Sequence, residues 1–290
     1  MRFQAIAGGA LSIACLVGVA GAAKADVNEI DIGINPTYQQ MGPTTVTSTG
    51  GFFAARAFLD SASDFNAGSV SYPGPGSPLA LTPVSDPLFP RLEFGDSNGS
   101  LADLNAAYPF GTYAFAATGA LPTESASIDY AAAAPSLSVP TLTAASYNLL
   151  QGLNAGSGFT FNFNSFDQNP TPNGALIFLS VTDNTTGESV FSTDGLDSGT
   201  TSVFMPGGTL AAGTDYSFDL NFDARTTGTS PLTGGNAPTV DTAIFFDTHT
   251  FGDFNTAAVP EPTTWALMLV GVLGLGLALR AGRPSRAAVA

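Results

Sequence analysis

Few side chains in this sequence could do chemistry. His249 is the single histidine, and Asp247 and Asp253 stand close to it. On a strand, residues 247 and 249 share a face, so an Asp–His contact is open to them. A Ser–His–Asp relay would use that contact, but the sequence reads as lacking a nucleophile signal of the Gly-x-Ser-x-Gly kind. His249 is therefore expected as a surface or strand-end residue. A zinc site of the usual kind lacks ligands, because the chain has one histidine and one cysteine.

Carboxylates are the alternative, and paired carboxylates can hydrolyse glycosides. Asp215, Asp219 and Asp223 follow one another at intervals of four. The reading places them on the polar face of one strand, as solvated groups or as a Ca²⁺ candidate. Asp194-Gly195-Leu196-Asp197 and Asp96-Ser97-Asn98-Gly99 read as acidic turns, and neither has the spacing of an EF-hand loop. No cofactor is expected.

These residues sit in a chain patterned for strands. Phe159, Phe161 and Phe163 alternate with Thr160, Asn162 and Asn164. Tyr216, Phe218, Leu220 and Phe222 alternate with polar residues in the same way. Ala175 to Val181 is a continuous apolar run that suits a central strand. Asp183-Asn184-Thr185-Thr186-Gly187 is turn chemistry, and Ser189 to Phe191 returns from it. Thr201 to Met205 and Val240 to Phe246 bring the set to about seven strands between Pro140 and Phe251. An all-β fold follows, of immunoglobulin- or fibronectin-like sandwich type.

Leu210 to Tyr216 resembles the tyrosine corner of such sandwiches. Pro109 to Phe115 is a shorter echo of it, which suggests two modules, 26–138 and 139–256. Ala131 to Pro140 is the expected linker. Tyr72 to Pro78, rich in Pro and Gly, is an expected loop, and Ser100 to Ala107 an expected short helix. Tyr38, Tyr72, Tyr108 and Tyr130 fall in irregular stretches, where packing against turns is the ordinary fate of a tyrosine.

Charge limits the partners. The chain has 290 residues, with 8 basic and 23 acidic. Between Asp26 and Val259 only Arg56, Arg91 and Arg225 are basic. They face 22 acidic residues (all 23 less Glu261), a formal charge of −19. Such a body repels phosphate backbones, so no nucleic acid is expected. Cys15, the only cysteine, lies in the leader described next, so the body can form no disulfide.

Both termini look like addresses rather than fold. Arg2 opens a positive region, an apolar stretch runs from about Ala5 to Ala20, and Ala23-Lys24-Ala25 forms an A-x-A site. This is the layout of a secretory signal peptide over residues 1–25, with cleavage after Ala25. At the other end, Pro260-Glu261-Pro262 precedes an uncharged stretch from Thr263 to Leu279. Arg280, Arg283 and Arg286 follow. The 17 residues of 263–279 are just long enough for a transmembrane helix. The arginines place the C-terminus in the cytoplasm and the body in the periplasm.

That order of Pro-Glu-Pro, apolar helix and Arg-rich end, over 257–286, resembles the PEP-CTERM sorting signal. The resemblance implies recognition by exosortase, a membrane-embedded transpeptidase-like enzyme. It implies transient residence in the inner membrane. It also implies a final place at the cell surface or in an exopolysaccharide matrix. The expectation is an exported, non-catalytic surface or matrix protein. The alternatives are a glycan-binding module for the host's exopolysaccharide and a secreted carboxylate-dependent glycoside hydrolase.

Overall fold

A computed structural model describes residues 26–84, 86–119, 121–130, 136–169, 173–258, 267–270 and 272–273. Ala23, Ala25, the Pro260-Glu261-Pro262 motif and Arg280, Arg283 and Arg286 lie outside the described residues. So do positions 131–135 of the expected linker.

The first half of the chain contains β1 (Val27–Gln40), β2 (Val46–Leu59), β3 (Phe65–Ser71), β4 (Leu79–Val84), β5 (Arg91–Asn98), α1 (Leu101–Ala107), β6 (Thr112–Gly119) and β7 (Glu124–Asp129). After it come β8 (Ser136–Leu137), α2 (Ala144–Leu150), β9 (Phe159–Asn162), β10 (Gln168–Asn169), β11 (Gly174–Asp183) and β12 (Ser189–Ser192). The last strands are β13 (Leu196–Asp197), β14 (Ser202–Met205), β15 (Asp215–Pro231) and β16 (Thr239–Asn255). The protein is mostly β, as the alternating patterns require.

Twelve strands form one sheet. Its order is β12-β11-β15-β16-β1-β2-β5-β4-β3-β6-β7, with β13 beside β11. Two small pairs, β8–β10 and β9–β14, stand apart from it. Strands from both sides of residue 138 belong to the large sheet. Its middle is the parallel pair β1–β16, in which Glu29 faces Asp241 and Gln39 faces Phe251. Pro36, with no N–H to donate, interrupts that ladder between Gly33 and Thr37. The sheet curls back on itself. Ser125 in β7 bridges Thr233, just beyond β15, through two backbone hydrogen bonds of 2.9 Å.

The alternation of the sequence becomes two faces. In β15, Tyr216, Phe218, Leu220, Phe222 and Ala224 are buried, while Asp219, Asn221, Asp223 and Arg225 point the other way. In β1, Ile30, Ile32 and Ile34 face the same interior. The inner residues of both halves form one buried cluster. On one side of it, Tyr113 of β6 approaches Phe53 of β2, with ring centroids 6.2 Å apart. On the other, Phe166 stacks on Phe222 at 4.5 Å, and the β9–β14 pair adds Phe161 and Met205. Burial of each such aromatic contributes roughly 1.5–3 kcal/mol. Gly33 lets β1 approach β16 closely, for a Cβ there would sit 2.0 Å from the Phe245 carbonyl oxygen.

Both tyrosine motifs close as the pattern suggests. The Tyr216 hydroxyl accepts a hydrogen bond from the Ala211 N–H at 2.8 Å. Gly213, at φ +67, makes the turn between them. The Tyr113 hydroxyl donates to the Pro109 carbonyl at 3.0 Å. The expected helix near Ser100 is α1, with Ser100 Oγ accepting from the Asp103 N–H at 3.2 Å. Sequence reading has no place for α2, which Thr143 caps in the same manner. Tyr72, Tyr108 and Tyr130 are buried, packed among other rings. Among the described residues no helix is long and apolar enough to cross a membrane. Of 263–279 only 267–270 and 272–273 are described, and these are helical.

Candidate functional site

The outer face of the central strands carries every basic side chain of the body, with carboxylates set among them. Opposed residues of an antiparallel pair share a face. Arg225 lies opposite Phe245, Asp223 opposite Asp247, and Asn221 opposite His249. The β1 register adds Asp31 opposite Ala243 and Thr37 opposite His249, so Asn35 falls beside Asp247. Across β1 and β2, Asp31 faces Arg56, and across β2 and β5 Arg56 faces Glu93. Arg91 stands next to Glu93 on the same side, opposite Phe58. All three arginines and the histidine of the body therefore lie on one sheet face.

Their partners are carboxylates. Arg56 Nε donates to Asp31 Oδ1 at 2.8 Å, and Arg91 Nε donates to Glu93 Oε2 at 2.6 Å. Arg225 is ion-paired with Glu29. Asp31 is 4% exposed, and burial pushes its carboxyl up to about 6 although Arg56 opposes the shift. The Arg56 guanidinium also lies over the Phe245 ring at 4.6 Å.

His249 does meet an aspartate, but not one of its sequence neighbours. Its Nδ1 is 3.1 Å from both oxygens of Asp219, on the adjacent strand, and its ring stacks on Phe251. Contrary to the expectation from sequence, a Gly-x-Ser-x-Gly spacing does occur, at Gly95-Asp96-Ser97-Asn98-Gly99. Ser97 belongs to β5, three strands from β16. At about 4.8 Å per strand it is roughly 14 Å away in the sheet, far outside hydrogen-bond reach of His249.

The Asp215, Asp219 and Asp223 series needs correction as a Ca²⁺ candidate. Residues four apart on a strand are about 13 Å apart, whereas cation–oxygen bonds are about 2.3–2.6 Å. Each of the three has a different setting. Asp215 is exposed, Asp219 holds His249, and Asp223 meets Asp247. Among the described residues no three His, Cys, Asp or Glu side chains are arranged to hold a metal.

Asp223 and Asp247 form the least comfortable part of the face. Burial raises both carboxyls, and for Asp247 the facing Asp223 raises it further. Their Oδ1 atoms, with Asn35 Oδ1 and Asn221 Oδ1, are shielded from solvent and have no hydrogen-bond partner. A carboxyl raised in the folded state stabilises the fold below its unfolded value, and that stability is lost as pH rises through the folded value. Asp247→Asn should therefore stabilise the protein at pH 7 by up to about 1 kcal/mol. The advantage should vanish towards pH 4. Thermal melts of both proteins across that range check this, and an advantage that grew on acidification would contradict it.

Sequence reading missed Asp31, Glu29, Asn35, Arg56 and Arg225 as members of this face. The available signal was Asp31 itself, a charge inside the apolar run Ile30-Asp31-Ile32.

No protein-family model matches the chain, and no curated protein matches it. Solved structures with some likeness include the FN1–FN3 domains of chicken CNTN1, at 9% identity and a TM-score of 0.24. That match covers 75% of this chain and 65% of the other. The BSP domain of a biofilm associated protein matches at 14% identity and a TM-score of 0.21, over 78% of this chain and 30% of that one. The Ig1–Ig3 ectodomain of mouse nectin-like molecule 4 matches at 10% identity and a TM-score of 0.18, over 79% and 66%. The chain thus spans less than two thirds of the first two. Likeness at this level is too low to transfer a function.

Proposed function

We propose that this is an exported, non-catalytic protein of the cell surface or extracellular matrix, with a body of immunoglobulin- or fibronectin-like sandwich type. In this reading a leader cleaved after Ala25 delivers the body to the periplasm. The helix 263–279 holds it at the inner membrane, with Arg280, Arg283 and Arg286 on the cytoplasmic side. Exosortase then releases it near Pro260-Glu261-Pro262.

The observation that carries the reading is the segment after the β body. Leu267, Met268, Leu269, Val270, Val272 and Leu273 are helical, and each is 62–72% exposed. An apolar helix with no protein surface over it suits a lipid environment. The body supports the non-catalytic part. Its histidine and arginines are engaged with carboxylates on the sheet, and Ser97 is remote from His249.

The test is Glu261→Ala in a host with an active exosortase. Glu261 carries a charge that resists entry into the bilayer and so marks its boundary. The variant should insert normally, escape release, and accumulate full-length in the inner membrane. Processing and export equal to wild type would remove the motif from the mechanism and leave a plain anchor.

A further inference from the structure

The start of β1 is set among carboxylates that have no arginine or histidine partner among the described residues. Glu124, at the head of β7, is only 3% exposed. Its Oε2 accepts from the Val27 N–H at 2.8 Å. One residue earlier, the Asp26 backbone nitrogen lies 3.4 Å from Asp60 Oδ2, beyond the end of β2. The other Asp60 oxygen is held by Asn28 Nδ2 at 2.6 Å. The Asp26 carboxylate is held by the loop after β15, accepting from the N–H groups of Asn236 and Ala237 at 2.9 and 3.2 Å. Among the described residues, none of Asp26, Asp60 and Glu124 is ion-paired with an arginine or histidine. Burial, with Asp26 and Asp60 nearby, pushes the Glu124 carboxyl up to about 7.

We propose that signal-peptide cleavage supplies the missing cation: the new α-ammonium of Asp26 pairs with Asp60 and Glu124 and fastens β1 into the sheet. This rests on the export reading above, with cleavage after Ala25. In the cleavage step water adds across the Ala25–Asp26 amide. The carbonyl carbon takes the hydroxyl and leaves as the Ala25 carboxylate, and the nitrogen takes the proton. The freed amine binds a further proton at neutral pH. One amide N–H thereby becomes three donors and a unit charge, at the atom already facing Asp60. The precursor lacks this fastening, so β1 is held more tightly after export than before it.

The chain allows a clean test, because Lys24 is its only lysine and belongs to the leader. A mature chain starting at Asp26 has its α-amine as its sole primary amine. Acetylating the exported protein removes the charge, whereas reductive dimethylation keeps it. Acetylation should lower the Tm by on the order of 2–4 °C, and dimethylation should not. A ¹³C-dimethyl label should titrate above the ordinary α-amino range of about 7.7–8.0. Both effects should disappear in Asp60→Asn/Glu124→Gln. An acetylated protein that melts like the unmodified one, or an amine that titrates in the ordinary range, would overturn the proposal. N-terminal sequencing separates the two readings, since an exported chain starting elsewhere overturns the cleavage site and the link to maturation. The ion pair is then judged by the same comparison on the full chain cut by a specific protease to begin at Asp26.

Discussion

Residues 26–138 and 139–256, produced as separate chains, should each fail to unfold cooperatively. β1 lies between β16 and β2, so the cut strips a neighbour from both sides of the sheet's centre. β16 would be left as a 17-residue edge with unpaired backbone groups. Gln40, 1% exposed, would lose the Leu142 backbone, with which it exchanges hydrogen bonds of 2.9 and 3.1 Å. Tyr130 would lose the Phe246 ring, 5.8 Å away. Losses of this kind are comparable with the roughly 5–15 kcal/mol that holds a domain together. Urea titrations followed by circular dichroism should show broad, sloping curves for each half and a sharp transition for the joined chain. A steep transition in either half, with a slope fitting its length, would establish that half as a unit of its own.

The second large effect belongs to Arg56. Arg56→Ala should destabilise the protein by about 3–5 kcal/mol at neutral pH, since it leaves a buried carboxylate without its partner. The loss should shrink on acidification. Asp31 already titrates above its ordinary value, near 6, and without Arg56 it moves higher still. Its contribution is greatest below the unfolded value near 4 and is lost as pH rises through the folded one. Melts at pH 4 and pH 7.5 should therefore differ more for the variant than for wild type. Asp31→Asn/Arg56→Met, which removes both charges and keeps the packing over Phe245, should recover most of the stability. If Arg56→Ala is equally harmful at both pH values, the damage comes from lost packing over Phe245 and not from the stranded charge.

Local pattern carried much of the fold. The strands β9 and β15 were legible from period-two alternation and β11 from its continuous apolar run, because both signals are properties of a few consecutive residues. The two tyrosine motifs and the Ser100 cap were legible for the same reason, as each closes within five residues. The pairing of β1 with β16 was not, because a ladder between residues some 210 positions apart leaves no mark in either segment. The candidate face was hidden likewise. Asp219 and His249 are 30 residues apart and meet only through register, whereas Asp247, the obvious neighbour of His249 in sequence, faces Asp223. The Asp215-Asp219-Asp223 series looked like a site because it was counted in residues rather than in ångströms.

The parallel pairing of the first and last long strands has a mechanical side. β1 begins beside the start of β16, and β16 ends beside the end of β1, so the chain enters the sheet at one end and leaves at the other. A pull applied between residues 26 and 256 runs along both strands in opposite directions. The hydrogen bonds between them are loaded in shear and must give way together, instead of being peeled apart one at a time. Tension on a tethered body would meet its greatest resistance along that line.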